Sequence, residues 1–194
     1  MRAVTDIRLD SLDEIITDVP FLYESLKEHL TAVYGETYFS SVTLNLYKDN
    51  MLSLSKLYSL ESRLNDALHK KIWLKSGGFL VIEPTEALVA IDVNTGKNVK
   101  KGSREETFLL TNLEAASEIA KQLRLRNLSG MILIDFINME EAVNQKKLME
   151  HLAEELKKDP VKAQLHDMTQ LGLIEVTRMK TRQPLYEQVN ITEN

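Results

Sequence analysis

The chain has 194 residues, of which 43% are hydrophobic and 27% are charged, and it contains no cysteine. A chain of this size can bury a core without covalent cross-links, and the lack of thiols excludes disulfides and cysteine-ligated zinc within it. There is no apolar run of roughly 18 residues and no signal-peptide core, so we expect a cytoplasmic protein without membrane contact. The net charge of −5 argues mildly against nucleic-acid binding, because phosphates attract basic surfaces.

The first part of the chain, residues 1–70, mixes strand and helix patterns. Residues 14–17 predict a short strand, after which Asp18 is expected to cap a helix with Pro20 in its first turn. Alternation over residues 41–47 predicts a second strand, and a leucine stripe predicts one further helix that ends near residue 70. The two helical stripes are Phe21, Leu22, Leu26, Leu30 and Val33, and then Leu57, Leu60, Leu64 and Leu68.

The second part, residues 71–185, has a more regular pattern. Residues 72–74 and 79–82 predict a hairpin around the glycine turn at 77–78. Residues 87–93 (ALVAIDV) and 131–136 (MILIDF) are nearly all apolar, which predicts strands buried on both faces. Between them, Ser103 opens a capping box for a helix that reaches about residue 126. A helix over 140–157 and a last strand over 173–176 follow.

These alternating elements predict an α/β fold in which a mixed sheet packs against helices, with parallel pairing at its centre. Residues 186–194 are expected to form a C-terminal tail. The buried stripes of the two helices are predicted to be Leu109, Leu113, Ala116, Ala120 and Leu123, and then Val143, Leu148, Leu152 and Leu156.

Two aspartates, Asp92 and Asp135, stand at the ends of the two apolar strands. Because a helix connects these strands, we expect them to be parallel, so that both carboxylates lie at the edge of the sheet where ligands bind. A lone aspartate at a strand end is most often a cap or a loop hydrogen-bonder, but two at equivalent ends favour a shared partner. Magnesium typically takes one or two carboxylates, so the pair predicts a Mg²⁺ site in which Mn²⁺ could substitute.

Polar residues flank this predicted site. Asn94 could direct its amide at a bound water or at a ligating carboxylate, although a turn asparagine is the commoner role. Two runs of basic residues suit phosphate contacts, although such runs are more often simply solvated. The cations are Lys97, Lys100, Lys101 and Arg104 in the loop after the first aspartate, and Arg178, Lys180 and Arg182 after the last strand.

Three longer stretches then match a known family. SGGFLVIEPTEALVAIDVNTGK, EETFLLTNLEAASEIAKQLRLRNLSGMILIDFINM and LGLIEVTRMKTRQPL resemble the catalytic region of ribonucleases E and G. The resemblance runs from about residue 10 to 185 and is strongest between residues 76 and 139. It implies a deoxyribonuclease-I-like catalytic subdomain over residues 71–185, preceded by part of a ribonuclease-H-like subdomain over residues 1–70.

The resemblance also implies an activity. Asp92 and Asp135 would be the metal ligands and Asn94 a catalytic asparagine, in a magnesium-dependent endoribonuclease that cleaves A/U-rich single-stranded RNA during RNA processing and decay. The products would carry 5′-phosphate and 3′-hydroxyl ends. Family enzymes also have an oligonucleotide-binding RNA module, a sensor for the RNA 5′ end and a zinc link that joins subunits into homo-oligomers. None of these is recognised here, so we expect an excised piece with no zinc and little activity of its own.

Two alternatives stay open at this stage. One is a different metal-dependent phosphoesterase, such as a phosphatase or a DNA nuclease, which product analysis would separate. The other is a non-catalytic RNA-binding or scaffold fragment, which a magnesium titration would separate because a scaffold needs no ion.

Overall fold

The structure, a computed structural model, describes residues 12–35, 42–96 and 104–192, and the chain divides into two compact units, Met1–Leu64 and Asn65–Asn194. The first unit contains strands β1 (Glu14–Thr17) and β2 (Thr43–Leu46), helix α1 (Pro20–Tyr34) and helix α2 (Leu54–Leu57). Helix α3 (Leu60–Leu68) follows. Strands β1 and β2 pair in parallel, and Leu26 and Leu30 of α1 pack with Ile15 and Leu44.

The predicted cap of α1 is wrong. The residue before the helix is Val19, which has no side chain that can cap, and Asp18 precedes it. Helix α1 does begin at Pro20, as predicted, because the missing N–H of proline costs nothing in the first turn. Only the centre of the expected stripe is buried, since Phe21 and Val33 are 83% and 55% exposed.

The prediction of one continuous helix with a leucine stripe is also wrong. The chain breaks between α2 and α3 at Ser59, whose φ of 51° lies in the left-handed region that a helix cannot continue through. Leu57 and Leu60 therefore fall on different helices and are 46% and 48% exposed.

The second unit is built around a six-stranded sheet. Its strands are β3 (Lys71–Trp73), β4 (Phe79–Pro84), β5 (Val89–Asn94), β6 (Gly130–Asp135), β7 (Ala163–Met168) and β8 (Ile174–Arg178), in the order β3-β4-β5-β6-β8-β7. The sheet is mixed: β5 and β6 are parallel, as predicted, and the other described neighbours are antiparallel. The helices are α4 (Arg104–Leu125), α5 (Ala142–Lys157) and α6 (Leu185–Thr192).

The core lies on one face of this sheet, against α4 and α5. Val89, Ile91 and Val93 of β5 belong to the same apolar cluster as Ile119 of α4 and Leu152 of α5. The prediction that β5 and β6 are buried on both faces is therefore wrong. Because residues alternate along a strand, the remaining side chains of β5 and β6 lie on the opposite face, where they are half-buried or exposed.

Several boundaries differ from the predictions. Strand β7 was not predicted, because it is an edge strand whose apolar residues, Ala163, Leu165 and Met168, are only half-buried. The expected tail contains α6, whose first N–H, on Leu185, donates to the carbonyl of Arg126. The capping box at Ser103 lies outside the described residues.

Helix α5 begins at Ala142 rather than at residue 140, and Val143 is 63% exposed instead of buried. Its cap residue, Glu141, makes no side-chain cap bond. The carboxylate of Glu105, on α4, instead accepts from the backbone N–H groups of Glu140 and Glu141, just before the helix, at 3.3 and 3.1 Å. No helix in the described part of the chain is long and apolar enough to cross a membrane.

Candidate active site

Asp92 and Asp135 occupy matched positions on the two central strands. They are register partners in the parallel pair of β5 and β6, and both side chains are exposed on the face of the sheet opposite the core. The prediction that a helix crossover brings these residues together is confirmed. The direction of the side chains comes from strand alternation, which sends Asp92 away from the buried Ile91 and Val93.

The two carboxylates line one open cavity of about 380 Å³. The floor of this cavity is apolar and includes Val81, Ala90 and Leu133, which the alternation of β4, β5 and β6 places on the same face. Within the described residues, neither aspartate has an ion-pair partner within 4 Å, and no group of three or more metal-binding side chains forms. The arrangement is thus a pair of carboxylates rather than a closed protein cage.

Asn94 contacts the site directly. Its side-chain amide donates a hydrogen bond of 2.7 Å to Oδ2 of Asp92, two residues earlier on the same face of β5. Of the two roles considered for this amide, the structure shows the one in which it holds a candidate ligating carboxylate. This bond restrains the rotation of the Asp92 carboxylate.

Sequence reasoning missed Glu83 at the rim of the cavity. It lies on β4 opposite Ala90, and its carboxylate pairs with the Nζ of Lys70 at 3.3 Å. In the sequence, Glu83 follows Val81 by two residues, which places both on the same face of β4. Glu83 could be placed beside the aspartates only once β5 was known to pair with β4.

The hairpin between β3 and β4 is bonded to α4 and packs closely against the end of β5. The carboxylate of Glu114, on α4, accepts backbone N–H groups from Lys75 at 2.6 Å and from Ser76 at 3.0 Å. Burial alone raises the pKa of Glu114, but hydrogen bonding by Ser76 and by the backbone of Lys75, together with the charge of Lys75, outweighs it and holds that pKa below its ordinary value of 4.5. A side chain at Gly78 would lie 2.7 Å from the carbonyl oxygen of Asn94, so glycine is required there.

The predicted RNA-binding cations have different outcomes. Lys97, Lys100 and Lys101 lie outside the described residues. Arg104 is exposed at the start of α4, with its guanidinium 5.2 Å from the centre of the Phe108 ring.

Arg178 is not available to bind RNA, which corrects the prediction made for it. Its side chain is 3% exposed, and its guanidinium donates to Asp159 at 2.8 and 3.3 Å. A further nitrogen of this group donates to Asn127 and to the carbonyl of Leu128. Alternation along β8 places Arg178 on the core side with Val176, so its charge serves the fold.

This fold and site define an α/β protein with two adjacent carboxylates on an open sheet face, a donor set suited to a hard divalent cation. Comparison with known proteins gives the family. The family model for the Ribonuclease E/G family matches residues 1–181. The chain belongs to the ribonuclease E/G family.

Individual relatives agree with this. The chain is 37% identical over 186 residues to Ribonuclease E of Synechocystis sp., covering 96% of this chain and 27% of that protein. It is 39% identical over 184 residues to Ribonuclease G of Haemophilus influenzae, covering 95% of this chain and 37% of that protein. The chain therefore spans little more than a third of these relatives at most.

Proposed function

We propose that this chain is the catalytic core of an endoribonuclease that hydrolyses single-stranded RNA with Mg²⁺, or Mn²⁺ in its place, to leave 5′-phosphate and 3′-hydroxyl ends. The observation that carries the proposal is the register pairing of Asp92 with Asp135 on an exposed face. Membership of the ribonuclease E/G family supports a nuclease over other phosphoesterases.

The chemistry of the two carboxylates fits a divalent cation. Like charges directly opposite each other on neighbouring strands repel, and Asp92 and Asp135 are such a pair. A cation between them removes that repulsion. Magnesium keeps several waters when only one or two carboxylates bind it, and the open cavity leaves room for those waters and for a phosphate.

The carboxylate oxygens of the two aspartates and the side-chain amide of Asn94 have separate roles. The oxygens of Asp92 and Asp135 would hold the cation, and the Asn94 amide restrains the Asp92 carboxylate through its bond to Oδ2. When bound, Mg²⁺ supplies Lewis-acid stabilisation of the charge that develops on the phosphodiester.

Contacts to the RNA backbone would come from the basic residues that follow β5 in the sequence. Lys97, Lys100 and Lys101 are close in sequence to Asn94, and Arg104 is the first residue of α4. These cations would hold the chain of phosphates without reading sequence. The chain has a net charge of −5, so attraction of RNA would depend on these local cations rather than on the overall electrostatic field of the protein.

We also propose that this chain acts as part of a longer cytoplasmic protein. The relatives named above are longer, since the matched residues make up 27% and 37% of their lengths. A zinc link joining subunits into a homo-oligomer belongs to this proposal and would lie on other segments, since this chain has no cysteine.

The test is a cleavage assay on a 5′-monophosphorylated A/U-rich RNA in Mg²⁺, with the ends of the products analysed, and with DNA and a phosphomonoester as alternative substrates. We expect RNA cleavage that Asp92→Asn and Asp135→Asn abolish, at a rate well below that of Escherichia coli Ribonuclease G, a relative of which the chain covers 37%. The variant Glu175→Gln, which changes charge on the same sheet face outside the cavity, is the matched control.

Three outcomes would count against the proposal. Turnover in both aspartate variants equal to that of the unmodified chain would show that the carboxylate pair is not the catalytic site. Preferred hydrolysis of DNA or of a phosphomonoester would favour the alternative phosphoesterases. RNA binding that does not change with Mg²⁺, with no cleavage by the chain or by the longer protein, would favour a scaffold.

A further inference from the structure

An aromatic pair lies on the same sheet face as the two aspartates. Trp73 is 66% exposed although it belongs to a strand, and the ring of Phe79 meets it edge-on at 5.4 Å between centroids, with an interplanar angle of 61°. The two residues are register partners between β3 and β4. An exposed indole on an edge strand is a candidate contact for a binding partner.

A lysine completes this group. The Nζ of Lys71 lies 4.0 Å from the centre of the Trp73 ring and 3.7 Å from the centre of the Phe79 ring. Both distances are well within the range of a cation–π interaction. The lysine thus orders both rings and brings a positive charge to a face whose other charged groups around the cavity include Asp92 and Asp135.

The position of the group relative to the active site follows from strand register. Phe79 pairs with Asn94, and Val81 pairs with both Lys71 on one side and Asp92 on the other. Neighbouring strands are about 4.8 Å apart and two residues span about 6.8 Å, so the backbone of Phe79 is about 8 Å from that of Asp92. A nucleotide adjacent to the one being cleaved would reach the rings.

From this geometry we propose that Trp73, Phe79 and Lys71 form a platform on which a base of the RNA strand stacks, while the lysine contacts a neighbouring phosphate. The proposal rests on the proposed function. Every base has a π-face, and proteins that hold single strands combine aromatic side chains with nearby cations for this purpose. The pairing of exposed rings with an ammonium group fits a nucleic acid better than an apolar protein surface, which would have to bury that charge.

The platform contains a built-in probe, because Trp73 is the sole tryptophan of the chain. Intrinsic fluorescence is titrated with a short A/U-rich RNA in EDTA, where no cleavage occurs, and with inorganic polyphosphate as a control that has no bases. We expect the red-shifted emission of an exposed indole, quenched by RNA and not by polyphosphate. Quenching by both, or by neither, would overturn the stacking proposal.

Variants separate stacking from general apolar contact. By anisotropy of a labelled RNA, Trp73→Leu should weaken binding on the order of 10-fold, and Trp73→Tyr should restore most of it, because stacking needs a ring. The matched control is Phe21→Leu, which removes a ring that is 83% exposed in the first unit. Lys71→Met should reduce the slope of log K against log salt by about 0.7.

Failure of the platform proposal can be distinguished from failure of the active-site proposal. If the aspartate variants still cleave but Trp73→Leu loses binding, the platform stands and the metal site falls. Equal RNA affinity in Trp73→Leu and Phe21→Leu, with thermal unfolding showing both folded, would overturn the platform. A blue-shifted Trp73 emission that RNA does not change would show that other protein segments cover the indole, and it would also overturn the platform.

Discussion

Asp92 and Asp135 lie directly opposite each other across the only parallel pair of strands in the described part of the sheet. Both are exposed on the face away from the core, and the amide of Asn94 restrains one of them. Like charges opposite each other on neighbouring strands repel, and a bound divalent cation would remove that repulsion. Stability should therefore respond to divalent cations through these two residues.

The first prediction concerns that response. Mn²⁺ at about 100 times its Kd should raise the free energy of unfolding by about 2.7 kcal/mol in the unmodified chain. Asp92→Asn and Asp135→Asn should lose this gain and be slightly more stable than the unmodified chain without metal, because the repulsion is gone. Thermal unfolding with and without Mn²⁺ is the measurement, with Glu175→Gln as control. An equal Mn²⁺ shift in all four proteins would place the cation elsewhere.

A second prediction concerns Asn94. Asn94→Ala removes the hydrogen bond that orients the Asp92 carboxylate, so Mn²⁺ affinity should fall about 10- to 100-fold while the fold is kept. Isothermal titration with Mn²⁺ measures this. Asn65→Ala, at an exposed position on α3, should leave the affinity unchanged. If both variants bind Mn²⁺ like the unmodified chain, Asn94 has no part in holding the ligand.

The basic residues that follow β5 in the sequence give a third prediction. Lys100→Glu combined with Lys101→Glu should weaken RNA binding for all sequences alike and lower the salt slope by about 1.4, since each lost phosphate contact on a single strand is worth about 0.7. The matched pair Lys146→Glu and Lys147→Glu, exposed on α5, should change the slope far less. If the double variant of Lys100 and Lys101 leaves the salt slope unaltered, these lysines contact only solvent.

Arg178 allows a fourth prediction, about stability rather than binding. Arg178→Met leaves the buried carboxylate of Asp159 unpaired and should cost about 3–5 kcal/mol, whereas adding Asp159→Leu should recover most of that loss. Lys180→Met, on the exposed part of the same basic run, should change stability by less than about 0.5 kcal/mol. Denaturant unfolding decides this. Selective loss of RNA affinity in folded Arg178→Met would reinstate a binding role.

The fifth prediction is a pH dependence at the hairpin. The pKa of Glu114 is lowered in the folded state, so its contribution is present above the ordinary value of 4.5 and is lost as the pH falls through the lower folded value. Glu114→Gln should cost about 1 kcal/mol at neutral pH and flatten this acid-side loss. The control is Glu154→Gln, exposed on α5. Parallel stability–pH curves for the unmodified chain and Glu114→Gln would contradict the prediction.

The local sequence determined much of this protein. Apolar runs located β5 and β6, the helical spacing between them located α4, and their connection predicted parallel pairing, which together identified Asp92 and Asp135. These features are readable because hydrophobic periodicity and the handedness of crossovers act over short stretches of chain.

Only the tertiary structure decided which faces and charges are buried. An apolar run such as ALVAIDV is compatible with one or two covered faces, and it was the packing of both helices on one side that left Asp92 open. The same packing turned Arg178 inward to Asp159, 19 residues away, and register set Trp73 and Phe79 beside Asn94. Each of these outcomes depends on contacts between distant segments, and burial is a property of those contacts rather than of the residue itself.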